Sequence, residues 1–208
     1  MQIKYHSWED VPIRVYKELV AANAEGDSMS RNVATIAILC DTTEEEVWNL
    51  SLPQIGALTS QLQWIKDFDF RKDFKKVRGV KAGKFDCALT DNMADFSVAQ
   101  YVDFNALWSA PERDMAMLLT TFLVPRGHRY NEGYDILELR DAFEEGVSIA
   151  MANSLCFFFL KSLLISMRVT LIYWDYIAER MGKRMTPEAR EEMERLRRRI
   201  ECFYGSLS

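Results

Sequence analysis

The stretch VSIAMANSLCFFFLKSLLISMRVTLIYW, residues 147–174, decides the fold because it combines length with an almost unbroken apolar composition. We predict one long helix here, from Ser148 to about Met181. A single domain of this size rarely encloses so long a helix on every face. Phe158, Ile165 and Ile172 recur every seven residues, a spacing typical of a seam with another helix. We therefore expect this helix to be either an ordinary bundle core or a surface for a partner or a second copy.

The charges within this stretch argue against a membrane span. A spanning helix needs about 20 residues almost free of charge. Here Lys161 ends the uncharged run and Arg168 follows it. These two residues lie seven apart and share one helix face with Ser154 and Asp175. One narrow polar stripe on an otherwise apolar helix is typical of the central helix of a bundle or of an oligomer interface.

The remaining segments predict a mainly α protein, a helical bundle of short helices with one small β-hairpin insert and a long C-terminal helical region. Thr43 and Glu46 form a capping box at the start of a short helix. Pro111 is expected to open a helix that buries one face until Pro125. A last helix is expected to open at Thr186.

The strand signal is confined to one segment, where Phe85, Cys87 and Leu89 alternate after a turn that contains Gly83. A lone hairpin is marginal in water, so we expect it to pack on helices or to pair with a strand of another chain. The resulting division is an N-terminal helical lobe at 1–66, a hairpin insert at 67–92 and a C-terminal helical bundle at 93–208. We expect these three parts to form one compact unit.

Composition excludes several classes of protein. Hydrophobic residues make up 49 % of the 208 and aromatic residues 12 %, which excludes disorder for most of the chain. Nine Gly and five Pro are too few for a turn-dense β-sandwich. Two His and four widely spaced Cys lack the spacing of a zinc site. The first ten residues contain no apolar run, so we expect no secretory signal.

Two segments carry residues of the kind that chemistry needs. The polar loop at 125–135 contains His128, for which only Glu132 and Asp135 are local carboxylates to orient a general base. The segment 66–84 has eight Lys or Arg against three Asp and is interleaved with Phe, as in surfaces that bind single-stranded nucleic acid. The net charge of -5 opposes nonspecific binding to phosphate. We expect no catalytic residues, no metal site and no cofactor.

The order of four quoted segments resembles a known group of proteins. The segments are IAILCDTTEEEVWNLSLPQIGAL (36–58), SVAQYVDFNALW (97–108), FLVPRGHRYNEGYD (122–135) and CFFFLKSLL (156–164). Together they resemble small helical proteins encoded in the tail modules of phages and prophages of gut Bacteroidetes, which are tail-assembly-chaperone-like. The resemblance covers about residues 10–165. It implies a non-enzymatic role in binding other phage structural proteins, as a tail assembly chaperone or as a virion component.

We expect the partners to be tape-measure or other tail and neck proteins, or further copies of this chain, and neither nucleic acid nor a membrane. The expected location is the host cytoplasm during assembly, or the virion. The residues predicted to bind the partner are Phe158, Ile165, Ile172, Lys72, Lys75 and Lys76. Two alternatives stay open, a nucleic-acid-contacting adaptor that uses the basic hairpin and a small enzyme that uses the His128 loop.

Overall fold

The computed structural model describes residues 1–24, 26–67, 75, 77–90 and 95–181, together with 186–188, 191, 194, 195 and 198. Across them the protein is mainly helical, with 60 % helix and a small three-stranded antiparallel sheet. This confirms the predicted fold class. The helix predicted to open at Thr186 lies largely outside the described residues.

Five helices build the N-terminal part, and their ends follow from local capping. Asp27 accepts hydrogen bonds from the Met29 and Ser30 amides and so begins the second helix. The predicted capping box is confirmed, because Thr43 and Glu46 each accept a hydrogen bond from the other's backbone amide. The five helices are α1 (Ile13–Ala24), α2 (Ser28–Cys40), α3 (Glu44–Trp48), α4 (Leu52–Ser60) and α5 (Trp64–Asp67).

The predicted hairpin is confirmed, with strands β1 (Gly79–Ala82) and β2 (Phe85–Leu89). Ala82 pairs with Phe85 across a two-residue turn, where Gly83 has a φ of +53°. A third strand, β3 (Leu123–Pro125), pairs antiparallel with β2 and makes β2 the central strand. The chain itself therefore supplies a third strand to the hairpin.

The prediction of one helix from Pro111 to the residues before Pro125 is wrong. The helix here, α7 (Met115–Thr120), begins later because Asp114 caps it by accepting a hydrogen bond from the Met117 amide. It ends early because the next residues pair with β2. The other helices of this part are α6 (Val98–Trp108), α8 (Ile136–Gly146) and α9 (Ile149–Met181), and the last agrees closely with the predicted long helix.

The largest apolar cluster lies where the first half of α9 meets the sheet and helices α6 to α8. The Phe159 ring stacks on Phe122 with ring centroids 4.3 Å apart and meets the edge of Phe104 at 4.9 Å. Three backbone hydrogen bonds join the N-terminal segment to the start of α9, and two of them are 3.0 Å or shorter. These two run from the Ile13 amide to the Val147 carbonyl, at 3.0 Å, and from the Ile149 amide to the Val11 carbonyl, at 2.9 Å.

Candidate protein-binding surface

Helix α9 divides into two halves with different surroundings. In the inner half, residues 149–164, the buried side chains recur at helical spacing and face the rest of the protein. Leu164 is the last of them. In the outer half, residues 165–181, every described side chain is exposed or half-buried. The outer half thus extends beyond the main apolar core.

Five large apolar side chains of the outer half are exposed to between 51 and 60 %. We call this set the α9 ridge, which consists of Ile165, Val169, Ile172, Tyr173 and Tyr176. The spacing of these residues places them along one side of the helix. Large exposed apolar side chains grouped in this way are frequent where proteins bind other molecules.

Charged residues flank the ridge and none lies within it. Lys161 and Arg168 are exposed, lie two helical turns apart and occupy the same flank of the ridge. Asp175 occupies the next position of this seven-residue series. Ser154 occupies the preceding position but is buried, and its hydroxyl donates to the Ala150 carbonyl at 3.0 Å. The polar stripe predicted from sequence is therefore buried at Ser154 and exposed at Lys161 and Arg168.

The structure brings the three predicted apolar binding residues to one face of α9. Ile165 and Ile172 belong to the exposed ridge, and Phe158 is half-buried at its inner end, with its ring edge-on to Phe157 at 5.5 Å. Sequence reasoning missed Val169 and both tyrosines of the ridge. The signal was present, because Val169 and Tyr176 each lie four residues after a predicted member.

Of the three predicted basic residues, Lys72 and Lys76 lie outside the described residues. Lys75 is exposed, and its ammonium group forms an ion pair with Glu9 at 2.6 Å. The Lys75 backbone amide donates a hydrogen bond to the Ser154 hydroxyl at 3.2 Å. Its position therefore links the hairpin region to the inner half of α9.

A cluster of charged groups joins α1, α7 and α8, and the sequence did not indicate it. Asp114 forms ion pairs with Lys17 at 3.3 Å and with Arg140 at 3.1 Å. Glu144 accepts from the same two cations, at 2.7 and 3.0 Å. Burial raises the pKa of Asp114, but the Met117 amide and the two cations outweigh it and hold the pKa below its usual 3.8. The ion pairs of these two carboxylates join α1, α7 and α8.

The loop at 126–134 has the features of a well-fixed connector. The His128 ring is edge-on to Tyr134 at 5.9 Å, and its backbone amide donates to the Pro125 carbonyl. Asp135 accepts hydrogen bonds from the Leu137 and Glu138 amides in the first turn of α8. Within the described part of the chain, no hydrogen bond joins the His128 imidazole to Glu132 or Asp135.

Beside this loop lies an open groove of about 400 Å³, and two ion pairs line it. Arg126 forms an ion pair with Asp86 at 3.2 Å, and Lys84 forms one with Glu138 at 2.6 Å. Burial and a hydrogen bond to Asp103, at 2.8 Å, raise the pKa of the nearby Tyr130 hydroxyl. This tyrosine therefore stays protonated at neutral pH.

The described residues bear on two further kinds of site, a metal centre and a membrane span. They contain no group of three or more His, Cys, Asp or Glu placed to hold a metal ion. One window, Ile149–Ser166, is long and apolar enough to cross a membrane by length and composition, with a mean hydropathy of 1.7. Of this window 56 % is buried inside the protein, as in the core helices of many soluble proteins, so it is weak support for a span.

Comparison of the chain with models of known protein families, with curated protein sequences and with solved structures finds no match.

Proposed function

We propose that this chain is a non-enzymatic, protein-binding protein of a phage tail region, acting as a tail assembly chaperone or as a virion component. The α9 ridge is its binding surface. The observation that supports this proposal is the exposure of five large apolar side chains along one side of a helix whose inner half is anchored in the core.

The free energy of such a surface favours association. Each large apolar side chain that leaves water on binding contributes about 1.5–3 kcal/mol. The ridge holds its side chains on a helix, so little backbone entropy is lost when a partner binds. A helix with an apolar face is the partner that best fits a straight apolar ridge.

The basic segment plays a smaller part in this proposal. Lys75 already neutralises Glu9 across an exposed contact, and such contacts contribute about 0–1 kcal/mol. Lys75 therefore adds little to the affinity, and apolar burial on α9 supplies most of it.

Co-purification with the other proteins of its tail module tests the proposal. Val169→Asp places a charge on the ridge, where Val169 is 60 % exposed, and Val20→Asp makes the same change on α1, where Val20 is 53 % exposed. We expect the wild type and Val20→Asp to retain a stoichiometric tail protein, and Val169→Asp to lose it. Equal retention by both variants would exclude the ridge as the binding surface.

Mass spectrometry of purified particles then separates the two roles. A virion component gives abundant peptides of this chain at a fixed ratio to the tail proteins. A chaperone binds the same proteins in the cell and is missing from the finished particle.

A further inference from the structure

We infer that the partner on the α9 ridge is a second copy of this chain, bound antiparallel to the first. This inference rests on the proposed role of the ridge as a binding surface, and it goes further by identifying the occupant as a second copy, so that a tail protein binds the dimer and not the ridge of one copy. Four properties of α9 support it, namely the spacing of its apolar residues, the side of the helix on which they lie, the charges beside them and the area they present.

The ridge continues inward as a regular series with alternating steps of four and three residues. This series is Phe158, Ser162, Ile165, Val169, Ile172 and Tyr176. Alternating steps of three and four give a mean repeat of 3.5 residues, the repeat that keeps two helices in contact over many turns. A globular patch on a partner surface would not require this regularity over five steps.

The series lies on the side of α9 away from the protein's own core. Leu155, Phe159 and Leu163 are buried against the rest of the chain, while Ile165 and Ile172 of the series are exposed. At 100° per residue, the mean directions of the two sets are about 130° apart around the helix. A second helix therefore reaches the series without displacing a core residue.

The charges on the flank fit a second copy in the antiparallel direction. At seven-residue steps along α9 the residues are Lys161, Arg168 and then Asp175, so the residue type changes from basic to acidic at the last step. When two copies run in opposite directions, Lys161 of each lies beside Asp175 of the other, and the pair occurs twice. The two Arg168 residues meet near the two-fold axis, where the exposed side chains extend into water. This flank is thus largely complementary to itself.

The same register matches the apolar residues in pairs. With Ile165 beside Val169 of the second copy, Ser162 lies beside Ile172 and Phe158 beside Tyr176. The aliphatic residues meet at the centre, and an aromatic pair closes each end. The exposed ridge presents on the order of 500 Å² per copy, so two copies bury on the order of 1,000 Å², the lower bound for a specific interface.

The first test measures the molar mass of the purified full-length chain by light scattering over a range of concentrations. We expect about twice the 24.2 kDa of one chain for the wild type and for Val20→Asp. Val169→Asp introduces two charges into a dry interface, so we expect it to raise the dimer Kd at least about 100-fold. A wild type that stays monomeric, or a dimer that Val169→Asp leaves unchanged, would overturn the inference.

The second test determines the direction of the two helices by oxidative cross-linking. Ser162 and Ile172 are ten residues apart, or about 15 Å along one helix, so they cannot form a disulfide within one chain. We expect the double variant Ser162→Cys/Ile172→Cys to give a covalent dimer, and each single variant to give no more than the oxidised wild type. Covalent dimers from the single variants would indicate parallel helices and overturn the antiparallel arrangement.

Other occupants give different results in these experiments. A monomer that loses a tail protein on Val169→Asp would refute the second copy and leave the proposed function intact. A monomer in which Val169→Cys resists alkylation would place residues 182–208 of the same chain on the ridge, and would also refute it. A ridge-dependent dimer that binds no tail protein would support the second copy and refute the tail role.

Discussion

The inner half of α9, residues 149–164, and its outer half, residues 165–181, are both rich in large apolar side chains, yet they have opposite surroundings. In the inner half Phe159 stacks on Phe122 in the main core. In the outer half Ile172 is 60 % exposed. The difference arises because the sheet and α6 to α8 cover only the first part of the helix. One continuous apolar sequence can therefore serve folding at one end and association at the other.

The polar members of α9 show the same division. Ser154, Lys161 and Arg168 follow each other at seven-residue steps. Buried Ser154 has both a backbone donor and a backbone acceptor, as a buried hydroxyl requires. Lys161 and Arg168 are exposed. The surroundings, rather than the residue's place in the repeat, decide whether a polar group stabilises the fold or meets the solvent.

The largest expected difference between the halves is in thiol reactivity. Cys156 is buried in the inner half, its thiol lies 3.4 Å from the Met115 sulfur, and burial raises its pKa to about 12. We expect iodoacetamide at pH 8 to alkylate it at least about 1,000-fold more slowly than the cysteine of Arg168→Cys, since reaction requires unfolding. Peptide mass spectrometry measures both rates. Equal rates would show that the inner half is not packed.

The second expected difference is in the free energy of unfolding. Phe159→Ala removes a buried ring that packs on three others, so we expect a loss of about 3–5 kcal/mol. Ile172→Ala at the exposed ridge should change the value for the dilute monomer by less than about 0.5 kcal/mol. Urea unfolding followed by circular dichroism checks both. A loss above about 2 kcal/mol for Ile172→Ala would place the ridge in the core.

Local patterns were sufficient to predict much of this fold. The capping box at Thr43 and the turn at Gly83 each depend on a few neighbouring residues, and the structure confirms both. The bounds of α9 follow from its apolar length. The sequence did not predict β3, because Leu123–Pro125 is a strand only through its pairing with β2, more than thirty residues earlier. Asp114 as a helix cap was missed because Pro111 is an equally plausible helix start.

The candidate site was predictable in part. The seven-residue repeat of Phe158, Ile165 and Ile172 indicated a face of α9, and the structure places these three residues on one face. The sequence could not indicate where along α9 the core ends, because residues on both sides of Leu164 have similar hydrophobicity. That boundary depends on how far α6, α7 and the sheet extend along the helix, which is a tertiary property.

A smaller change in the free energy of unfolding is expected at the cluster of Lys17, Asp114, Arg140 and Glu144, which joins α7 to α8. Asp114→Ala removes a helix cap and two ion pairs, so we expect a loss of about 1–2 kcal/mol at pH 7. Asp141→Ala is the control, because Asp141 also pairs with Arg140 but is exposed and caps no helix. We expect the control to change stability by less than about 0.5 kcal/mol.

The pH dependence of this loss has a definite sign. The pKa of Asp114 is lowered in the folded protein from 3.8, so its carboxylate stabilises the fold above about pH 4. That contribution disappears as the pH falls through the folded pKa. The difference between wild type and Asp114→Ala in urea unfolding should therefore shrink from pH 7 to pH 3. A difference that is the same at both pH values would show that the charge of Asp114 contributes nothing.

The smallest expected effect separates the two contacts that Lys75 makes. Ser154→Ala deprives the Lys75 amide of its acceptor beside the buried inner half of α9, and we expect a loss of about 1 kcal/mol. Lys75→Ala keeps that amide and removes only the exposed ion pair with Glu9, so we expect a loss of no more than about 0.5 kcal/mol.

Urea unfolding at low salt and in 1 M NaCl, on the order of ten times physiological ionic strength, distinguishes the two contacts of Lys75. Salt screens the exposed pair and should abolish the Lys75→Ala loss, while the Ser154→Ala loss should persist because its hydrogen bond joins uncharged groups. If 1 M NaCl abolished the Ser154→Ala loss instead, the contact between Lys75 and α9 would depend on charge. The polar contacts of the inner half would then be as open to solvent as those of the outer half.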